Sequence, residues 1–167
     1  MAQQLQETIS KLYRPPADGP CQVFALSRTD AEKLPVLPSI AVISITAPER
    51  PPARIADFTY VLRLSFADID FLQPDLSERA RGKLAQAFTG EQASVIRRFV
   101  ESLPDDFRSV VIHCEGGYSR SCAVAVALHH LYGYLASFQH LSDANPSVIR
   151  VLMGDVPKYG KWKKPKR

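Results

Sequence analysis

A cysteine and an arginine stand six positions apart in the run Ser109-Val-Val-Ile-His-Cys-Glu-Gly-Gly-Tyr-Ser-Arg-Ser121. An apolar stretch ending at His113 predicts a buried strand. Cys114 follows it, then five residues with two glycines, then Arg120 and Ser121. Cys122-Ala-Val-Ala-Val-Ala-Leu-His-His-Leu-Tyr132 is a strong helix former. A cysteine thus sits at the mouth of a tight loop that runs into a helix N-terminus. Such a loop can turn several backbone N–H groups toward one centre, where the helix end also favours an anion. Gly116 and Gly117 permit the backbone angles that the curl needs. Glu115, Gly116, Gly117, Tyr118 and Ser119 form the wall of a phosphate cradle, and Arg120 can close it with a bidentate grip on two oxygens. A free thiol titrates near ~8.5, and helix N-termini and nearby cations lower that value. Cys114 is therefore expected to be a thiolate placed for in-line attack on phosphorus. Ser121 can donate to the sulfur and improve it as a leaving group. His113 is expected to bond backbone around the loop and hold its shape.

The elements that must position these residues follow from periodicity and punctuation. Cys21–Leu26, Ile40–Ile45, Tyr60–Leu64 and Ser109–Ile112 are predicted strands. Thr29-Asp-Ala-Glu32 and Thr89-Gly-Glu-Gln92 are capping-box patterns that open helices, the second running through Val100. Ser77 to about Phe88 is a predicted helix. The signature helix is expected to stop at Gly133, and Asn145-Pro146 to cap a last helix through about Leu152. Strands alternating with helices give an α/β fold: one small, mostly parallel sheet of four to five strands with helices on both faces. The loop leaves the carboxyl end of a strand, where open α/β sheets bind ligands. Residues 1–18 form an arm with a short helix around Leu5, Ile9 and Leu12, 19–156 the domain, and 157–167 a basic tail.

His113-Cys114-x5-Arg120-Ser121 resembles the signature of cysteine-dependent protein tyrosine phosphatases. The loop is most similar to that of small dual-specificity phosphatases and their compact bacterial relatives. The likeness is dense over the signature and its helix and looser from Cys21 to Gly154. Cys122 departs from it, since many relatives carry proline there. The resemblance implies a phosphocysteine intermediate, no metal or other cofactor, and an aspartate general acid on an upstream loop. Asp68 and Asp70 are the candidates, just beyond the strand that ends near Phe66. Asp68 is preferred because the acid in similar proteins follows the strand directly. Asp75 reads as a helix start, and Asp105 and Asp106 precede the strand on the far side.

Composition narrows the setting. The chain has 167 residues, 46% of them hydrophobic and 23% charged, which suits one domain with one core. Three cysteines without paired spacing argue for a reducing compartment, and the cytoplasm is expected. No segment has the pattern of a secretory signal or a membrane span. The formal net charge is +4, with much of the positive charge in Lys158–Arg167. That tail could contact nucleic acid or an anionic membrane, but an ordinary solvated terminus is the plainer account. A monomer is expected. His129 and His130 are adjacent, so they do not share a helix face, and His140 stands alone. Cys122 is expected to point away from the loop, and Cys21 cannot be placed relative to it.

No residue between Cys114 and Arg120 is basic, whereas relatives that act on inositol lipids carry Lys or Arg there. Relatives that act on RNA ends have asparagine before the arginine, where this chain has Ser119. A phosphorylated protein is therefore the expected substrate, phosphotyrosine first. Tyr118 can line the pocket mouth or pack on the outer face of the loop. Two other functions stay open: phosphate recognition without turnover, and hydrolysis of lipid or nucleotide phosphates.

Overall fold

The computed structural model describes residues 5–16, 20–137, 141 and 143–154. The basic tail, Trp162 and His140 lie outside the described residues. Along the chain run α1 (Leu5–Tyr13), β1 (Gln22–Ser27), α2 (Arg28–Ala31), β2 (Ile40–Thr46), β3 (Tyr60–Ser65), α3 (Glu78–Gly82), a 3-10 turn (Leu84–Gln86), α4 (Gly90–Glu101), β4 (Ser109–Cys114), α5 (Arg120–Tyr132) and α6 (Pro146–Met153). The fold is α/β, with a four-stranded, all-parallel sheet in the order β1-β4-β2-β3. Leu135 adds a single bridge beside Gln22, short of a fifth strand.

A parallel sheet buries both faces, so its inner strands read as nearly continuous apolar runs. Every residue of β2 and β4 is buried. Side chains alternate between faces. Val23, Ala25, Ala41, Ile43, Val110 and Ile112 share a core with Ile96 of α4, Leu128 of α5 and Leu152 of α6. Phe24, Leu26, Val42 and Val111 face the other way, against Leu12 of α1, Leu34 and Phe58. Within the N-terminal arm, α1 is thus docked on the sheet. β3 lies at one margin of the sheet and is only partly buried. Among the described residues no helix is long and apolar enough to cross a membrane.

Two predicted elements differ. The helix expected from Ser77 to Phe88 is instead the short α3 followed by the 3-10 turn. Ala67 bridges Ala87 and its N–H donates to the Gln86 carbonyl at 2.7 Å, which requires extended chain there. Phe88 packs on Phe66 with ring centroids 4.7 Å apart. The cap of α2 is Ser27, whose Oγ accepts from Asp30 N–H, and not Thr29. The helix begins as soon as β1 ends, so Thr29 is already inside its first turn. The Thr89 capping box is formed in both directions, and Gly133 ends α5 in the left-handed conformation.

Candidate active site

Cys114 is the last residue of β4, paired in register with Ser27 at the end of β1. The strand runs one residue beyond His113, so the nucleophile candidate is held by the ladder itself. His113 is fully buried, with Nε2 2.6 Å from Ser44 Oγ on β2 and Nδ1 3.2 Å from the Cys114 carbonyl. The carbonyl can only accept, so Nδ1 carries the proton and Nε2 accepts from the serine hydroxyl. Burial holds the His113 pKa below its ordinary value, outweighing its bond to Cys114. The ring therefore acts as a neutral brace.

Three carbonyls of the loop are taken by partners outside it. The Glu115 carbonyl accepts from Arg28 N–H at 3.2 Å, Gly117 from Cys122 Sγ at 3.3 Å, and Ser119 from Ala123 and Asn145 N–H at 2.9 and 3.2 Å. In a trans peptide the N–H points opposite to the C=O. The N–H groups of Gly116, Tyr118 and Arg120 are thereby turned toward the loop interior. Among the described residues, those of Gly116 and Tyr118 meet no acceptor. Gly117 N–H donates to Cys114 Sγ at 3.2 Å, and Ser121 Oγ lies 3.2 Å from the same sulfur.

The N-terminus of α5 is left open. Ser27, Ser77, Thr89 and Asn145 cap α2, α3, α4 and α6 with their side chains, but Ser119 makes no such bond at α5. Its hydroxyl donates to Asp68 Oδ1 at 2.8 Å instead. Orphan N–H groups at an uncapped helix start attract an anion. Arg120 is 6% exposed, and its Nη1 donates to the Phe66 carbonyl at 2.9 Å. Its Nε is buried without a hydrogen-bond partner. Among the described residues no carboxylate lies within ion-pair distance of it.

The geometry separates the two aspartates. Asp68 Oδ1 accepts from Ser119 of the loop and from Asn145 Nδ2, each at 2.8 Å. Asp70 Oδ1 turns to Ser147 Oγ at 2.7 Å and to Leu72 N–H. Asp68 is thus joined to the cysteine loop, and Asp70 to α6.

Glu115 contributes backbone to the loop, while its side chain lies outside the cradle. Its carboxylate pairs with Arg28 at 3.2 Å and Arg50 at 4.0 Å. Tyr118 is 51% exposed, and its ring covers Gly116 so closely that a Cβ there would meet it at 2.3 Å. Cys122 differs from expectation: its thiol reaches back to the Gly117 carbonyl. Burial is the first cause that pushes its pKa up to about 12, with Cys114 adding to it. Cys21 lies at the other end of the sheet, where its thiol donates to the Phe107 carbonyl. Among the described residues no three His, Cys, Asp or Glu side chains gather to hold a metal ion.

Ser44, Arg28 and Asn145 were not legible as site residues. Asn145 alone had a signal, as a helix cap. An Asn cap also carries an amide donor that capping by Oδ1 leaves unused. Glu49 is a further neighbour of Arg120. Its carboxyl is held below the ordinary range first by a hydrogen bond to its own backbone, against opposing desolvation, with attraction from Lys83, Arg120 and Arg79. No protein-family model matches the chain, and no curated protein matches it.

Proposed function

We propose that this chain is a cysteine-dependent phosphomonoester hydrolase acting on phosphoproteins, phosphotyrosine first, through a phosphocysteine intermediate. The observation that carries this reading is the buried Arg120 guanidinium with its unpartnered Nε, set behind a loop in which the Glu115, Gly117 and Ser119 carbonyls are held by partners outside it. A buried guanidinium with an unsatisfied donor is costly, by about 1–3 kcal/mol or more for a charged group. An anion in the loop would satisfy the guanidinium and the inward N–H groups together. A tetrahedral phosphate suits that ring of donors, and Cys114 Sγ lies at its base.

In this mechanism Cys114 attacks phosphorus as the thiolate, stabilised by Gly117 N–H and Ser121 Oγ. The S–P bond forms as the P–O bond to the substrate breaks. Asp68, protonated on entering the reaction, gives its proton to the departing oxygen. Water then attacks phosphorus, Asp68 takes up the water proton, and the S–P bond breaks to release phosphate. Ser121 donates to the sulfur as it leaves. Arg120 binds two phosphate oxygens and follows the charge that develops on them.

The preference for phosphoprotein rests on the loop wall. It offers no cation for a second phosphate, and Glu115 is neutralised by Arg28 and Arg50 outside the cradle. The test is phosphate release from para-nitrophenyl phosphate by reduced protein with chelator present, wild type against Cys114→Ser. Release that disappears in the variant is expected. No release by wild type that still binds phosphate would overturn turnover and leave a phosphate-recognition module.

A further inference from the structure

We propose that Asn145 is the positioning residue that fixes the Asp68 carboxyl against the cysteine loop, an inference that rests on the phosphatase reading above. Asn145 is 5% exposed and every polar group of it that the fold can use is engaged. Its Oδ1 caps α6 by accepting from Ser147 and Val148 N–H at 2.9 and 3.3 Å. Two N–H groups on that atom settle which end of the amide is oxygen. Its Nδ2 donates to Asp68 Oδ1 at 2.8 Å and to the Ile69 carbonyl at 3.1 Å. Its own N–H donates to the Ser119 carbonyl at 3.2 Å. One residue thus joins three pieces: the aspartate loop, the last residue before Arg120, and the start of α6.

The consequence is orientation. Asp68 Oδ1 receives Ser119 Oγ and Asn145 Nδ2 together. Among the described residues Oδ2 accepts no hydrogen bond, so it is the oxygen left to carry a proton. Two donors on one oxygen fix rotation about the carboxyl bond, and the proton is then delivered from a set direction. Capping alone does not require this residue, since Asp and Ser cap as well as Asn. Neither supplies the amide donor. Ser147 fastens the far end of the same loop to α6 through Asp70 Oδ1, so the helix start carries the whole segment.

The test uses Asn145→Ser, which keeps a capping oxygen and loses the amide donor, in wild-type and Asp68→Asn backgrounds. Turnover is measured on phenyl phosphate, a poor leaving group, and on a dinitrophenyl phosphate, which departs with little acid assistance. General acids contribute roughly 10²–10⁴ in rate. A tenfold or larger fall in kcat on phenyl phosphate is expected, with KM unchanged and a much smaller loss on the dinitrophenyl ester. In the Asp68→Asn background the same change should cost almost nothing in kcat, while the unfolding midpoint should fall by a similar amount in both backgrounds, because the bond to the Ile69 carbonyl is lost in each. Equal losses in both backgrounds, equal losses on both esters, or no loss at all would overturn the inference while the phosphatase stands. A wild type without cysteine-dependent turnover overturns the phosphatase reading, and the inference falls with it.

Discussion

Gly117→Ala should unfold the site before it affects anything else. Gly117 has φ +83°, in the left-handed region. A Cβ there would lie 2.4 Å from Ser27 N, 2.6 Å from Leu26 C and 2.9 Å from Leu26 O. All three atoms are backbone of β1, locked in register with His113 and Cys114, so none can yield alone. The left-handed conformation costs a residue with a Cβ about 1–2 kcal/mol, and forced overpacking about 1–3 more. The sum is roughly 2–5 kcal/mol, which at about 2–4 °C per kcal/mol lowers Tm by roughly 4–20 °C. The displaced loop also carries Gly117 N–H away from Cys114 Sγ. Denaturant unfolding measures the first effect and aryl phosphate turnover the second. Two glycines calibrate the result. Gly133 has φ +71° but open space around a Cβ, so Gly133→Ala should lose only the conformational part. Gly82 has neither constraint, and Gly82→Ala should leave stability unchanged or slightly raised. If Gly117→Ala is as stable as Gly133→Ala, the loop is not packed against β1 as described.

Asp68→Asn should slow turnover of poor leaving groups by roughly 10²-fold or more, whereas Asp70→Asn should act weakly; equal effects would refute the assignment of Asp68. Stability should depend on pH through His113. Its folded-state pKa lies below the ordinary 6.5, so the unfolded chain takes up a proton that the folded protein refuses. Its contribution is complete above pH 6.5 and is lost as pH falls toward the depressed value, by at most about 1.4 kcal/mol per pH unit. His113→Gln, measured in a His130→Gln background because burial depresses His130 too, should flatten that slope; an unchanged slope would contradict it. Thr89→Ala should remove about 1 kcal/mol in denaturant unfolding by breaking the side-chain arm of the capping box, the bond from residue 89 N–H to Gln92 remaining, with turnover unaffected.

Legibility in the sequence followed the range of the interaction. The strands β1, β2 and β4 show because both sheet faces are buried there, which leaves nearly uninterrupted apolar runs, whereas β3 at the margin shows as a shorter run broken by Arg63. The end of α5 shows because Gly133 is a local stop. The cysteine loop shows because its parts lie within eight residues of one another. Asp68 stands out over Asp70 only through the family resemblance, in which the acid follows a strand directly. What stayed hidden needed contacts between distant segments. Glu115 looks like cradle until Arg28 and Arg50 come within reach of it. Asn145 lies 77 positions from Asp68, and its cap role masks its second one. The break after Gly82 depends on Phe88 finding Phe66 and on Gln86 meeting Ala67. A helix position just past the loop suggests that Cys122 turns away from it. The Gly117 carbonyl, turned back over the helix start, brings an acceptor to its thiol.

The covalent intermediate tests the central claim most directly. Reduced protein is mixed with a phosphorus-labelled aryl phosphate, quenched in denaturant within one turnover, and the label on the protein is located by mass spectrometry. The proposed chemistry predicts phosphorus on Cys114 in wild type and none in Cys114→Ser. Phosphate release with no label on the protein, or with the label on another residue, would contradict it.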